Sequence, residues 1–557
     1  MQKSFALILA ILVSSTAWSQ QKGASMPTAT RMSSAAFSVM QGINPERIRA
    51  HTRFLSHDLL EGRGTGQRGG DVAAEYIATQ FATYGLKPAG DKGSYMQRVP
   101  MVGITTLPET RFAFSGPRDD ARDLKYLDEY VAYDQTQQAS SDISADIVFV
   151  GYGIEAPEYN WDDYKGADVK GKVLLMLVSE PTSDDPKFFK GRALTYYGRW
   201  TYKYEEAARK GAVGAILIHK TDMASYGWDV VRNSNSGEKS YLELDGTPKL
   251  KAAAWIQLGV AADLVKKSGL DLSKLMADAL SRDFKPVPLQ TKLSAHIVSK
   301  VRPFAANNVI ALLPGSDAKR KDEAVMYSAH YDHLGIRPDM PGDNIYNGAD
   351  DNATGCAVLL EIAHAFSQAA QKPARSILFA SVTAEEQGLL GSEYLGKHPP
   401  IPAGKITLGL NFDDLPPLGS PEEVEVSGAE RTTFFSIVQS VAKEFRLEIR
   451  PDARPEAGHF YRSDHFSFAR VGIPSFSVNE GMKFKGHDEA WGLAQAAEFT
   501  DKHYHQPSDE YHPEMDFTAD AAIARFGFAL GWEAASLPKL IGWEKGDEFE
   551  KARLSGN

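Results

Sequence analysis

Metal-binding and proton-carrying side chains stand at the ends of successive apolar runs in this chain. AVMYSA ends in His330-Tyr331-Asp332-His333, SILFASV in Thr383-Ala384-Glu385-Glu386, and ITLGLNF in Asp413-Asp414. Asp350 and Asp351 lie in the loop NGADDNATG, just ahead of a helical run. Far downstream, His503-Tyr504-His505 supplies another imidazole. Singly, each of these is an ordinary surface residue; their coincidence at successive strand ends points to a metal centre. One His and one Asp suffice for one cation, a Glu and a distant His for a second, and a shared carboxylate can bridge them. That is a two-metal hydrolytic site, with ions roughly 3.5–4 Å apart. Mixed His and carboxylate ligands suit zinc, with cobalt or manganese as alternatives. Hydrolysis there also needs a proton carrier, and adjacent carboxylates such as Glu385 and Glu386 can divide the work: one on metal, one shuttling protons.

The elements that must hold these groups are legible too. From Asn307 onward the apolar runs NVIALLPG, AVMYSAH, SILFASV, ITLGLNF and PSFSVNEG alternate with helical stretches such as 355–370. Continuous apolar strands between helices predict an α/β fold, a mostly parallel central sheet flanked by helices. Ligands bind at the carboxyl ends of such strands. Val72, Ala73, Tyr76, Ile77 and Phe81 recur at helical spacing and predict a helix over Gly70–Gly85. The middle of the chain, with DIVFVGYGI, GKVLLMLV and EEAARKGAVGAILIHK, predicts a β-rich insert over residues 128–298.

Bulk properties exclude several classes. A formal net charge of −11 leaves no basic stripe for nucleic acid. With 43% hydrophobic and 24% charged residues the chain reads as globular. MQKSFALILAILVSSTAWSQ reads as a signal peptide over 1–19, cleaved near Ser19, giving a secreted or periplasmic protein. Its apolar run is too short to span a bilayer, so no stable membrane insertion is expected. A polar spacer is expected over 20–40. The one cysteine, Cys356, opens an apolar helical run and reads as a packed residue. There is no G-x-S-x-G elbow, no H-E-x-x-H and no P-loop, and no G-x-G-x-x-G lies in a strand-to-helix context.

At SAHYDHLG, NGADDNATG, TAEEQGLLGSEYL, NFDD and HYHQPSDE the sequence resembles the clan MH zinc peptidases of family twenty-eight, the group of bacterial secreted aminopeptidases, aminopeptidase Y and glutamate carboxypeptidase II. LLEGRGTGQRGGDVAAEYIATQF, GLKPAG and SYMQRVPM extend the likeness upstream, to roughly residues 45–540. The resemblance implies a zinc peptidase domain over 41–127 and 299–545, interrupted by a protease-associated domain over 128–298. Two zinc ions are implied: His330 and Asp413 bind one, Glu386 and His505 the other, and Asp351 bridges. Glu385 is then the general acid/base, Asp332 holds the far nitrogen of His330, and Tyr504 is a candidate for stabilising the oxyanion. The family also implies a cis peptide after the bridging residue, here Asp351-Asn352. FYRSDHFSF is similar to a family motif near the substrate pocket, with Asp464 and His465 as lining residues; the structural alternative is a turn in which Asp464 caps a helix. The implied activity is hydrolysis of the N-terminal peptide bond of peptides or proteins by a hydroxide held between the ions. A carboxypeptidase, a glutaminyl cyclase and a metal-free receptor-like binding protein are the alternatives on the same scaffold.

Overall fold

A computed structural model describes residues 32–116, 121–185, 187–224, 226–338, 340–452 and 455–555. The expected signal peptide, with its cleavage point near Ser19, lies outside the described residues, as does most of the spacer. The last part of the segment read as spacer begins a helix, α1 (Ser34–Gln41), started by the Ser33 side chain accepting from Ala36 N.

Helix α2 (Pro45–Leu55) follows. Asn44 caps it by accepting from the Glu46 amide, and Pro45 occupies its first position. Ile48, His51, Thr52 and Leu55 form its buried stripe. α3 (Arg68–Thr83) buries Ala73, Ala74, Ile77, Ala78 and Phe81, as the helical spacing predicts, and ends before Gly85 at φ +73°.

The strands come next: β1 (Met96–Thr106), β2 (Tyr130–Tyr133), β3 (Ser140–Phe149), β4 (Val173–Leu177), β5 (Gly214–His219), β6 (Ala252–Gln257), β7 (Val287–Leu313), β8 (Ala324–His330), β9 (Ser376–Val382), β10 (Ile406–Asn411) and β11 (Ser475–Ser477). Their hydrogen-bonded order is β11-β10-β8-β9-β7-β3-β4-β5-β6-β2. β8 runs parallel to both β9 and β10, and β10 runs parallel to β11. β7 joins antiparallel to β9, so the half of the sheet from β7 to β11 is mixed.

β7 is 27 residues long and belongs to two layers. Residues 287–298 pair with β3, residues 299–309 with β1, and residues 309–313 with β9. Its first part alternates buried and exposed side chains, as a strand with one covered face should, and its last part is almost wholly buried. The second layer also takes in the strand Arg111–Ser115, which pairs with β7 ahead of residue 128.

Both faces of the half from β7 to β11 are covered. On one side α2, α3, α6 (Gly355–Gln368) and α8 (Thr518–Ser536) pack around Tyr327, Phe366, Phe379 and Phe412. On the other, Met326, Leu378, Ile406 and Phe468 form a smaller core. Helices α4 (Trp200–Arg209) and α5 (Leu258–Lys267) pack on the second layer, which has its own two cores; α7 (Phe435–Phe445) packs on α8. The second layer touches the segment that flanks the site: Leu194 N donates to Pro455 O, the Tyr196 ring lies 5.0 Å from Phe466, and Ser240 N donates to Gln387 Oε1. No helix among the described residues is long and apolar enough to cross a membrane.

Candidate metal centre

The site forms where three parallel strands end. His330 is the last residue of β8, Glu385 and Glu386 follow β9 by three and four residues, and Asp413 follows β10 by two. Asp351 arrives on the buried turn Ala349–Thr354 that leads into α6, and His505 arrives after the helix Glu489–Lys502.

His330, Asp351, Glu386, Asp413 and His505 converge. His330 Nε2 lies 2.8 Å from Asp413 Oδ1 and 3.3 Å from Asp351 Oδ1. His505 Nε2 lies 3.3 Å from Asp351 Oδ2 and 3.1 Å from Glu386 Oε2. The two oxygens of Asp351 thus face two different imidazoles. His330 is 1% exposed and Asp351 4%.

Several interactions hold these groups in place. The Asp350 and Asp351 amides donate to Asp509 Oδ1 and Oδ2 at 2.9 and 3.1 Å. Asn352 Nδ2 donates to Phe412 O, and the Gly355 amide returns to Asn352 Oδ1. The Asp351–Asn352 peptide is cis, as the resemblance implies. Ser463 Oγ donates to Asp413 Oδ2, and Asn411 Nδ2 to Ser463 Oγ. The guanidinium of Arg63 is wholly buried and donates to the carbonyls of Leu55, Tyr331, Asn347 and Gly348, tying the end of β8 to the Asp351 turn.

Asp332 sits differently from its expected role. His330 Nδ1 reaches the backbone carbonyl of Asp332 at 3.2 Å, and the carboxylate lies 3.8 Å away. That carboxylate instead accepts from the Glu385 amide at 3.1 Å and from Thr65 Oγ1 at 3.0 Å, so it fixes the turn that carries the two glutamates. The Tyr504 ring stacks on His505 with centroids 4.0 Å apart and is 41% exposed. Asp464 and His465 are 0% and 2% exposed, so neither stands on an open wall. Asp464 makes no side-chain cap to the helix His465–Arg470. Cys356 is buried and its Sγ donates to His330 O, as a packed residue would.

The sequence reading left three neighbours without roles. His333 lies three residues past His330, and its Nδ1 is 2.6 Å from Glu386 Oε1. Arg63 stands inside LLEGRGTG, and Asp509 four residues past His505. The last two act on backbone groups, which leave no side-chain pattern to read; the His-x-x-His spacing was the one available signal for His333.

Electrostatics mark the centre as a cation site. Burial opposes ionisation of Asp351, yet hydrogen bonds from His330 and His505 outweigh it and hold its carboxyl well below the usual range. Burial likewise opposes Glu386, and His505 and His333 bring it down to about 2. Glu385 differs: burial and the charges of Asp413, Glu386 and Asp464 push its carboxyl well above the usual range, against the pull of His330. Burial pushes Asp464 up to about 7. Buried carboxylates crowded together are costly unless cations offset them. The donors form two groups that meet at Asp351, His330/Asp351/Asp413 and His333/Asp351/Glu386, the latter with His505 beside it. This donor set fits divalent metal.

An open α/β sheet with His and carboxylate donors at its strand ends defines a class of metal-dependent hydrolases. Residues 308–527 match the family model described as Peptidase family M28. The chain is 28% identical over 237 residues to "Leupeptin-inactivating enzyme 1" of Streptomyces exfoliatus, covering 42% of this chain and 49% of that one. It is 25% identical over 317 residues to a "Glutamate carboxypeptidase 2 homolog" of Caenorhabditis elegans, covering 48% and 37%. The chain thus spans about half the length, or less, of these curated relatives. The solved aminopeptidase from Aneurinibacillus sp. strain AM-1 has the same fold, with a TM-score of 0.52 at 18% identity over 91% of this chain and 97% of that one.

Proposed function

We propose that the protein is a secreted or periplasmic di-zinc exopeptidase that removes residues from the N-terminus of peptides. One observation carries this reading: a single buried carboxylate, Asp351, presents Oδ1 to His330 and Oδ2 to His505, each at 3.3 Å. Only an acid can serve two cations in this way. His330 and Asp413 would hold one ion, Glu386 and His505 the other, and Asp351 both; cobalt or manganese would suit the same donors. Bound there, the ions would polarise the scissile carbonyl and lower the pKa of water.

The chain's own residues do the rest. Glu385 takes the proton of the attacking water and returns it to the leaving amine. Its backbone is fixed by the Asp332 carboxylate, and its raised proton affinity suits a group that must both accept and release. Tyr504, beside His505, is a candidate donor to the developing oxyanion. Asp464 and His465, both buried, support the floor of the substrate pocket. The Asp414 carboxyl lies within electrostatic reach of Asp351, Asp413, His330 and His505. Burial and the charges of Asp351 and Asp413 push it well above the usual carboxylate range. The second layer reads as a protease-associated domain bordering the cleft.

Metal analysis together with paired assays tests this. About two zinc ions per chain are expected, along with hydrolysis of aminoacyl anilides but not of N-blocked peptides, abolished by chelator and restored by zinc. Cleavage of the blocked peptides alone would transfer the reading to a carboxypeptidase. Ammonia release from an N-terminal glutamine peptide would transfer it to a cyclase, and a metal-free inactive chain to a binding protein.

A further inference from the structure

His333 has no task in the mechanism, yet its side chain is 0% exposed and packed against the second donor group. Resting on the two-ion reading, we propose that His333 is a positioning residue that engages one oxygen of Glu386 and so restricts Glu386 to the other oxygen for contact with the second ion.

The two oxygens of Glu386 have different partners: Oε1 lies 2.6 Å from His333 Nδ1, and Oε2 lies 3.1 Å from His505 Nε2. Donors around a tetrahedral zinc at about 2.0–2.1 Å stand about 3.3 Å apart. The His505 contacts to Glu386 and Asp351, at 3.1 and 3.3 Å, have that spacing. The His333 contact, at 2.6 Å, is shorter than these and shorter than the 2.8 Å between His330 Nε2 and Asp413 Oδ1, too close for two ligands of one tetrahedral ion and at the short end of hydrogen-bond length. His333 Nδ1 also lies 3.9 Å from Asp351 Oδ2, farther than His505 does. A carboxylate only accepts, so Nδ1 carries the proton and has no lone pair for metal. Nε2, the ring's other nitrogen, is buried without a hydrogen-bond partner.

The ring is closely packed against the Gly348 turn. A Cβ on Gly348 would come within 2.6 Å of its Cγ, and the His333 amide donates to Arg63 O at 3.3 Å. Held in this way, Glu386 offers one oxygen instead of two and leaves coordination space on the second ion for substrate. Outer partners of this kind typically change metal affinity 10–100-fold.

The test titrates zinc and cobalt into metal-stripped wild type, His333→Ala and His333→Asn, against a chromophoric competitor. Melting curves of the stripped proteins verify folding, and His333→Leu replaces the alanine variant if that one fails to fold. In asparagine the amide nitrogen stands where Nδ1 stood, so it restores the donor but not an imidazole. Removing the ring should weaken the second ion roughly 10–100-fold and alter the visible absorption of cobalt there, and asparagine should bring both back toward wild type. X-ray absorption at the zinc edge should count one imidazole per ion, from His330 and His505, in wild type and His333→Asn alike. A higher count in wild type that falls in His333→Asn would make His333 a ligand and overturn the proposal, as would wild-type affinity in His333→Ala. Failure of wild type itself to bind two ions would instead overturn the reading beneath it.

Discussion

Glu385 and Glu386 are neighbours in sequence with opposite proton affinities. Glu386 is brought down to about 2 by His505 and His333, and Glu385 is pushed up by burial among carboxylates. Glu385→Gln keeps the shape and removes the titrating group. Metal content should stay at wild type while kcat/KM falls roughly 10²–10⁴-fold; undiminished turnover would remove Glu385 from the mechanism. His505→Ala should leave one ion bound through His330, Asp351 and Asp413, and elemental analysis showing both ions retained would dismiss His505 as a ligand. At this scale the sequence was informative because every donor stands at a strand end or in a short turn. For Asp332 the resemblance implied a hold on His330, and it is the backbone carbonyl that serves His330 while the carboxylate serves a neighbouring turn. Nothing in a residue's type tells which of its own oxygens a ring will meet.

Elements deliver those residues only because small and charged groups hold turns against strands. Gly355 opens α6 with an ordinary helical backbone, so its constraint is space: a Cβ there would lie 2.1 Å from Asn352 Oδ1 and 2.6 Å from Phe412 O. Gly355→Ala should cost roughly 1–3 kcal/mol by overpacking. It should also loosen both ions by shifting the Asp351 turn, which a melting curve and a metal titration would register. Helix α8 carries a different strain. Asp520 is 0% exposed, and burial pushes its carboxyl up to about 8. Its unfolded value is about 3.9, so the folded state holds the extra proton between the two. The stability this provides is complete below about pH 4 and lost as pH rises toward 8. Asp520→Asn should therefore raise Tm more at pH 8 than at pH 5; an equal gain at both would show that Asp520 does not titrate in this window. The helical period of α3 and the apolar β8, β9 and β10 could be read from spacing alone. The antiparallel entry of β7 beside β9 could not, since strand direction is fixed by connections and not by composition.

For the whole molecule, two layers with separate cores share one strand and one hydrogen-bonded sheet. Calorimetry should accordingly give a single unfolding transition at neutral pH, because neither layer can melt without exposing the edge of the other; two well-resolved peaks would show them to be independent. Chelation should lower that transition, since ions bound only by the folded state stabilise it by about 2.7 kcal/mol at a hundredfold excess over Kd.

The long shared strand also has a mechanical meaning. A flap tethered by loops swivels, whereas one grown from the same ladder must flex like a splint, bending many backbone bonds at once. The contacts that Leu194, Tyr196 and Ser240 make with Pro455, Phe466 and Gln387 are therefore stiffly mounted.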